Sequence, residues 1–179
     1  MTELIGKRAL VTGGSRGIGA SIAIALAEKG ADVAITYHRS PERSAEVVRT
    51  IQAKGRRGLA IQADSADLAA VRRSVDEAVG TLGGLDILVN NVGTARMGKL
   101  VDLSLADVDA MLHTNIRATV LASQAAISHF GIGGRIITIG SNAAERAPFP
   151  GLAVYALSKS ALLGFTRHLG ASSAPRASR

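Results

Sequence analysis

Thr12-Gly13-Gly14-Ser15-Arg16-Gly17-Ile18-Gly19 follows a short apolar run, Ala9–Thr12, and opens a helical pattern, Gly17–Lys29. The order is strand, glycine loop, helix. Glycines at 13, 17 and 19 let the backbone turn sharply and come close to a pyrophosphate. The helix N-terminus then offers free N–H groups and a partial positive charge. The spacing Gly-x-x-x-Gly-x-Gly differs from the commoner Gly-x-Gly-x-x-Gly, but the strand–loop–helix context is that of a dinucleotide site. Gly13, Ser15, Arg16, Gly17, Ile18 and Gly19 are its predicted phosphate-binding residues.

Outward from this loop, strand-like runs alternate with helical ones. Strands are predicted at Ala9–Thr12, Asp32–Thr36, Leu59–Gln62, Ile87–Asn90 and Arg135–Ile139. They are short and rich in Val, Ile or Leu, as strands buried on both faces are. Helices are predicted at Gly17–Lys29, Glu42–Lys54, Leu68–Leu82 and Leu105–Phe130, and a last one starts near Val154. Ser104 reads as an N-cap with Asp107 at the capping-box position, and Gly30, Gly55 and Gly131 read as helix C-caps. Strict β/α alternation implies an α/β fold with a doubly wound parallel sheet.

Composition bounds the chemistry. The chain of 179 residues is 47% hydrophobic and only 3% aromatic, which favours an α/β layer packing over an aromatic-rich sandwich. There is no cysteine, so disulfides and Cys–metal sites are excluded. His38, His113, His129 and His168 are scattered without metal-ligand spacing, and no metal is expected. The net charge of +7 is dispersed, with Arg56-Arg57 and Arg72-Arg73 the densest spots and no aromatics between them, so no nucleic-acid partner is expected. The first strand-like run begins near Arg8, and no apolar run approaches the ~18 residues of a membrane span, so a cytoplasmic protein with no membrane partner is expected.

The second strand ends in Thr36-Tyr37-His38-Arg39-Ser40, with no acid to bind a ribose 2′-hydroxyl. A basic residue there suits a 2′-phosphate, so His38, Arg39 and Arg16 favour NADP(H) over NAD(H). Near the chain's end stands Tyr155-Ala156-Leu157-Ser158-Lys159, with Ser141 before it. A phenol and an ammonium four residues apart lie on one helix face, and the ammonium favours the phenolate form. Such a pair is a candidate acid/base.

Taken with Asn90-Asn91-Val92-Gly93, these motifs make the chain resemble the short-chain dehydrogenase/reductases, specifically the 3-oxoacyl-ACP-reductase-like branch. The resemblance runs from Gly6 to about Arg167. It implies a Rossmann fold with five strands here in the order 3-2-1-4-5. It implies that Asp64 and Ser65 flank the adenine and that Asn90, Asn91 and Gly93 border the cofactor, although the family has Ala where Val92 stands. It further implies Asn115, Ser141, Tyr155 and Lys159 as the catalytic residues. Tyr155 would give a proton to a carbonyl oxygen as hydride reaches the carbon. Lys159 would bind the nicotinamide ribose, Ser141 would hold the carbonyl, and Asn115 would hold a water linked to the lysine. The implied substrate is a small carbonyl compound, and the implied assembly a homodimer or homotetramer.

The chain departs from that family after its last helix. No strand reading Gly-Ile-Thr-Val-Asn follows, nor the substrate-covering segment, so the fifth strand is expected to be an uncovered apolar edge. Residues 1–170 read as one dinucleotide-binding and catalytic domain. Ala171–Arg179 uses only four residue types and reads as a disordered tail. The abrupt change in composition suggests an out-of-frame reading of GC-rich DNA. Poor turnover is then the expectation for this chain. The competing reading is a nucleotide-binding sensor or scaffold that keeps the loop without catalysis.

Overall fold

The computed structural model describes residues 3–147 and 149–173. Five strands form one sheet: β1 (Arg8–Val11), β2 (Asp32–Tyr37), β3 (Gly58–Gln62), β4 (Leu85–Asn90) and β5 (Phe130–Thr138). All pairings are parallel and the order is β3-β2-β1-β4-β5, as expected. Helices α1 (Gly17–Glu28) and α2 (Pro41–Ala53) cover one face. There Ala9, Val11, Val33 and Ile35 pack with Ala23, Ala27 and Ile51. Helices α3 (Leu68–Leu82) and α5 (Ala118–Ile127) cover the other, where Leu10 and Leu88 meet Val75, Ala78, Ala122 and Ala126. Alternate residues of β1 thus feed opposite layers, which is why its run is apolar throughout. The alanines of α5 let it lie close to α3 and the sheet.

The predicted helix Leu105–Phe130 is not continuous. It comprises α4 (Leu105–Leu112), a π-turn at His113–Arg117, and α5. The Ala118 N–H reaches back five residues to the His113 carbonyl, the signature of the wider turn. Phe130 and Gly131 belong to β5, so Gly131 is a strand residue and not a cap. The long apolar stretch hid this boundary, because a glycine after an apolar run reads equally as a cap. Ser104 caps α4 by accepting from the Asp107 N–H at 3.1 Å. Its hydroxyl donates to the Asp107 carboxylate at 2.7 Å, a one-sided version of the expected box. Gly30 and Gly55 follow the C-caps Lys29 and Lys54.

Helix α6 (Ala153–Ser173) packs against α4, the π-turn and a 3₁₀ turn at Asn142–Ala144. It continues three residues into the stretch expected to lack structure; residues 174–179 of that stretch lie outside the described residues. β5 is an edge strand with exposed Ile132 and Ile137. No helix among the described residues is long and apolar enough to cross a membrane.

The N-terminal ends of the strands carry two acid–arginine clusters. Asp32 accepts from the Arg57 backbone N–H at 2.9 Å, Arg57 Nε at 2.8 Å and Arg56 Nη2 at 2.8 Å. Asp86 accepts from Arg8 N at 3.0 Å and Arg8 Nε at 2.8 Å. The opposite, C-terminal ends carry the loops after β1, β2, β4 and β5, the edge where open α/β sheets bind ligands.

Candidate active site

The glycine loop is held on both sides by its neighbours. Gly13 N–H donates to Thr36 Oγ1 at 2.9 Å and Gly14 N–H to the Thr36 carbonyl at 2.9 Å, both on β2. From the β4 side, Asn91 Nδ2 donates to the carbonyls of Thr12 at 2.8 Å and Gly13 at 3.1 Å. Thr12 Oγ1 accepts from the N–H groups of Asn91 at 3.0 Å and Val92 at 3.1 Å. Gly13 adopts φ +65°. A Cβ on Gly19 would stand 2.5 Å from the Gly13 carbonyl, so only hydrogen fits. Arg16 is the N-cap of α1 in extended backbone and its side chain makes no capping bond. The first N–H groups of α1 are therefore open to an anion, as a pyrophosphate cradle requires. Ser15 is half-buried, while Arg16, Gly17 and Ile18 are exposed beside it.

His38 and Arg39 lie exposed after β2. His38 Nε2 stands 3.4 Å from Asp64 Oδ2, and Gln62 Nε2 donates to the His38 carbonyl at 3.1 Å, so the ends of β2 and β3 are tied together. Asp64 also accepts from the Ala66 N–H at 2.9 Å. Ser65 lines a cavity of about 10 Å³ with Thr12, Thr36, Asn90, Val92 and Thr119. Asn90 Nδ2 donates inward to Ser123 on α5 at 3.0 Å, while its Oδ1 is buried without a partner. Asn90 and Asn91 thus spend their side-chain N–H groups on the protein itself.

Helix α6 presents Tyr155 and Lys159 one turn apart. Lys159 is only 5% exposed, and its Nζ lies 6.0 Å from the centroid of the Tyr155 ring. The ammonium donates to the Ile139 carbonyl at 2.9 Å, just past the end of β5. Burial pushes its pKa below the usual lysine value. No carboxylate pairs with it among the described residues. Gly93 stands over the same place: a Cβ there would lie 3.4 Å from Asn115 Oδ1 and 3.5 Å from Lys159 Nζ. Asn115, wholly buried in the π-turn, bonds both the backbone N–H and the backbone carbonyl of Thr94. Its Oδ1 accepts from Thr94 N–H at 2.8 Å and its Nδ2 donates to the Thr94 carbonyl at 2.9 Å. Ser141 caps the 3₁₀ turn, accepting from Ala143 N–H at 3.2 Å. Ser160 on α6 donates to Ala144 at 2.8 Å, tying that turn to the helix.

The structure therefore brings Gly93, Asn115 and Lys159 to one point and seats Tyr155 one helical turn from it. Thr12, Thr36 and Ser158 were missed by sequence reasoning. A hydroxyl carries no sequence signal of its partners, although Ser158 stands inside the Tyr155–Lys159 motif. No group of acids and histidines able to hold a metal occurs among the described residues.

A family model described as short chain dehydrogenase matches residues 7–177. A hydroxynaphthalene reductase of Aspergillus fumigatus is 45% identical over 94% of this chain and 61% of its own. A versicolorin reductase of Dothistroma septosporum is 40% identical over 92% of this chain and 63% of its own. The chain thus spans about three fifths of the length of these curated relatives. A short chain dehydrogenase from Burkholderia cenocepacia, solved in complex with NADP, is 59% identical. It superposes with a TM-score of 0.93 over 95% of this chain and 69% of that one.

Proposed function

The chain belongs to the short-chain dehydrogenase family, and on that premise we propose that it is an NADPH-dependent reductase converting a ketone to an alcohol. NADPH, when bound, supplies the hydride to the carbonyl carbon. The loop Gly13–Gly19 and the open N-terminus of α1 would hold its pyrophosphate. Arg16, His38 and Arg39 would hold the 2′-phosphate, and Asp64 and Ser65 would flank the adenine. Lys159 would bind the nicotinamide ribose beside Gly93.

Tyr155 would donate the proton that the carbonyl oxygen needs as the carbon is reduced. Ser141 would orient that oxygen and stabilise its developing charge. Asn115 would relay protons through a water from its place beside Lys159. The observation that carries this reading is the buried ammonium of Lys159, left without a carboxylate among the described residues. Burying a charge without an opposite partner is costly, and such a group beside Gly93 and Asn115 at the C-terminal edge of the sheet is a mark of chemistry rather than of packing.

The substrate class is a ketone of the 3-oxoacyl type or, following the names of the two reductase relatives, a fused-ring phenolic ketone. A cytoplasmic homodimer or homotetramer is the proposed assembly, supported by exposed Val120 and Ile127 on α5 and Leu157 on α6.

The test is oxidation of NADPH and NADH by the 179-residue chain against 3-oxoacyl thioesters, diketones and hydroxynaphthalene-type ketones. Slow turnover is expected with NADPH, because positioning of the substrate is the part of catalysis that the family's substrate-covering segment would supply. Tyr155→Phe is expected to lower it about 10²-fold or more while NADPH still binds. Unchanged turnover by that variant would sink the reading in favour of another proton donor. NADPH binding with no turnover by either form would favour a sensor or scaffold.

A further inference from the structure

Ser158 is wholly buried between the two residues to which the chemistry has just been assigned. A serine hydroxyl has one proton to give and lone pairs to receive. Here both capacities are used. The proton goes to the carbonyl of Tyr155 at 2.7 Å, and the oxygen accepts from Asn115 Nδ2 at 2.9 Å. Asn115 in turn accepts from the Thr94 N–H at 2.8 Å and donates to the Thr94 carbonyl at 2.9 Å. One hydroxyl therefore connects the backbone of Tyr155, the amide of the π-turn, and the loop that leaves β4.

Serine is a poorer helix former than alanine, and alanine fills the same small space. The helix gains nothing from a hydroxyl at this position by propensity. What the hydroxyl does is bond back to the preceding turn, a contact that shifts a helix locally, and fasten that turn to Asn115. The shifted turn is the one that begins at Tyr155, and the next residue along is Lys159.

We infer that Ser158 is a positioning residue: its hydroxyl sets Tyr155 and Lys159 at their working height over Asn115 and Gly93. The inference rests on the reductase reading above. Ser158 touches neither substrate nor cofactor in this scheme; it acts through the Tyr155 backbone and the Asn115 amide.

Ser158→Ala removes one oxygen and little volume. Steady-state kinetics with NADPH and a turned-over ketone are measured beside the melting temperature and the NADPH dissociation constant. The expected result is a kcat lower by about tenfold, the scale of one lost hydrogen bond. KM and the NADPH dissociation constant should stay within about twofold, and melting should fall by only a few degrees, the effect of one buried amide N–H left without its acceptor. Ser158→Cys, which keeps a weak donor and acceptor, is expected to recover part of kcat. A purely structural serine would lower the melting temperature and leave the kcat of the folded fraction unchanged, and that result overturns the inference. Should Ser158→Ala fail to fold, the same split is read from Ser158→Cys alone. A wild-type chain that binds NADPH but reduces no ketone removes the reductase reading, and this inference falls with it. A wild-type chain that turns over while both variants match it removes only the role of Ser158.

Discussion

Lys159 shows at the scale of one residue how a folded environment changes a side chain's chemistry. Its pKa is lowered by burial, so the folded state releases the proton at a lower pH than the unfolded chain, whose lysines titrate near ~10.4. Between those two values the unfolded state binds more protons, and stability rises with pH. Below the lowered value the full cost of the buried charge is present. Lys159→Met removes the charge. The stability of wild type relative to Lys159→Met is therefore expected to improve as pH is raised toward ~10, read from paired melts. A gap that stays constant or widens against wild type would refute the assignment of burial as the cause. The tyrosine and lysine were legible in the sequence because their spacing of four fixes them on one helix face. Ser158 and Thr12 were not legible. Each acts through partners far along the chain, Asn115 for one and Asn91 and Val92 for the other, and no local pattern encodes such a pairing.

At the scale of elements, the glycine loop was readable in kind and in position. Its lock was not: Thr36 on β2 and Asn91 just past β4 hold it from the two sides of β1 in the sheet, 23 and 79 residues from their partners in the chain. Gly19 makes the constraint testable. Its missing Cβ is what lets α1 start against the Gly13 carbonyl, 2.5 Å from where that carbon would be. Gly19→Ala forces the loop to shift, and a loss of NADPH affinity of at least about tenfold is expected by fluorescence titration, with a destabilisation of about 1–3 kcal/mol. Native affinity in that variant would show that the loop does not hold the phosphates. The stretch 105–130 was read as one helix because its apolar composition suits a helix throughout. The π-turn is set by where Asn115 must point, a tertiary demand without a sequence mark. The start of β5 was hidden for the same reason, since Phe130 and Gly131 fit a helix end as well as a strand.

At the scale of the molecule, strand order followed from β/α alternation and right-handed crossovers, and the sheet has that order. The irregular register between β4 and β5 between Leu85 and Ile87 was outside what alternation encodes. The clusters at the strand starts make an acid-stability prediction. Burial alone would raise the Asp32 pKa, but hydrogen bonds from Arg57 and Arg56 outweigh it and the net shift is downward. The bond from Arg8 likewise lowers Asp86, against burial. For both, the folded value lies below the unfolded ~3.9. Their stabilisation is present above that pH and is lost as pH falls through the lowered values. Asp32→Asn is expected to cost about 1–3 kcal/mol near neutrality, since its arginine partners are partly exposed, and to flatten the acid limb of stability. An unchanged acid limb in urea melts would count against the cluster.

These clusters and the candidate site occupy opposite ends of strands four to six residues long through the sheet's centre. At ~3.3 Å per residue the ends are roughly 13–20 Å apart. Across that distance a unit charge edited at the starting ends is worth roughly 1 kcal/mol to buried Lys159 at an effective dielectric of ~20, and less where salt reaches the path. Durability and chemistry are thus wired on separate circuits: such an edit is expected to move acid stability more than it moves the proton donor proposed at Tyr155.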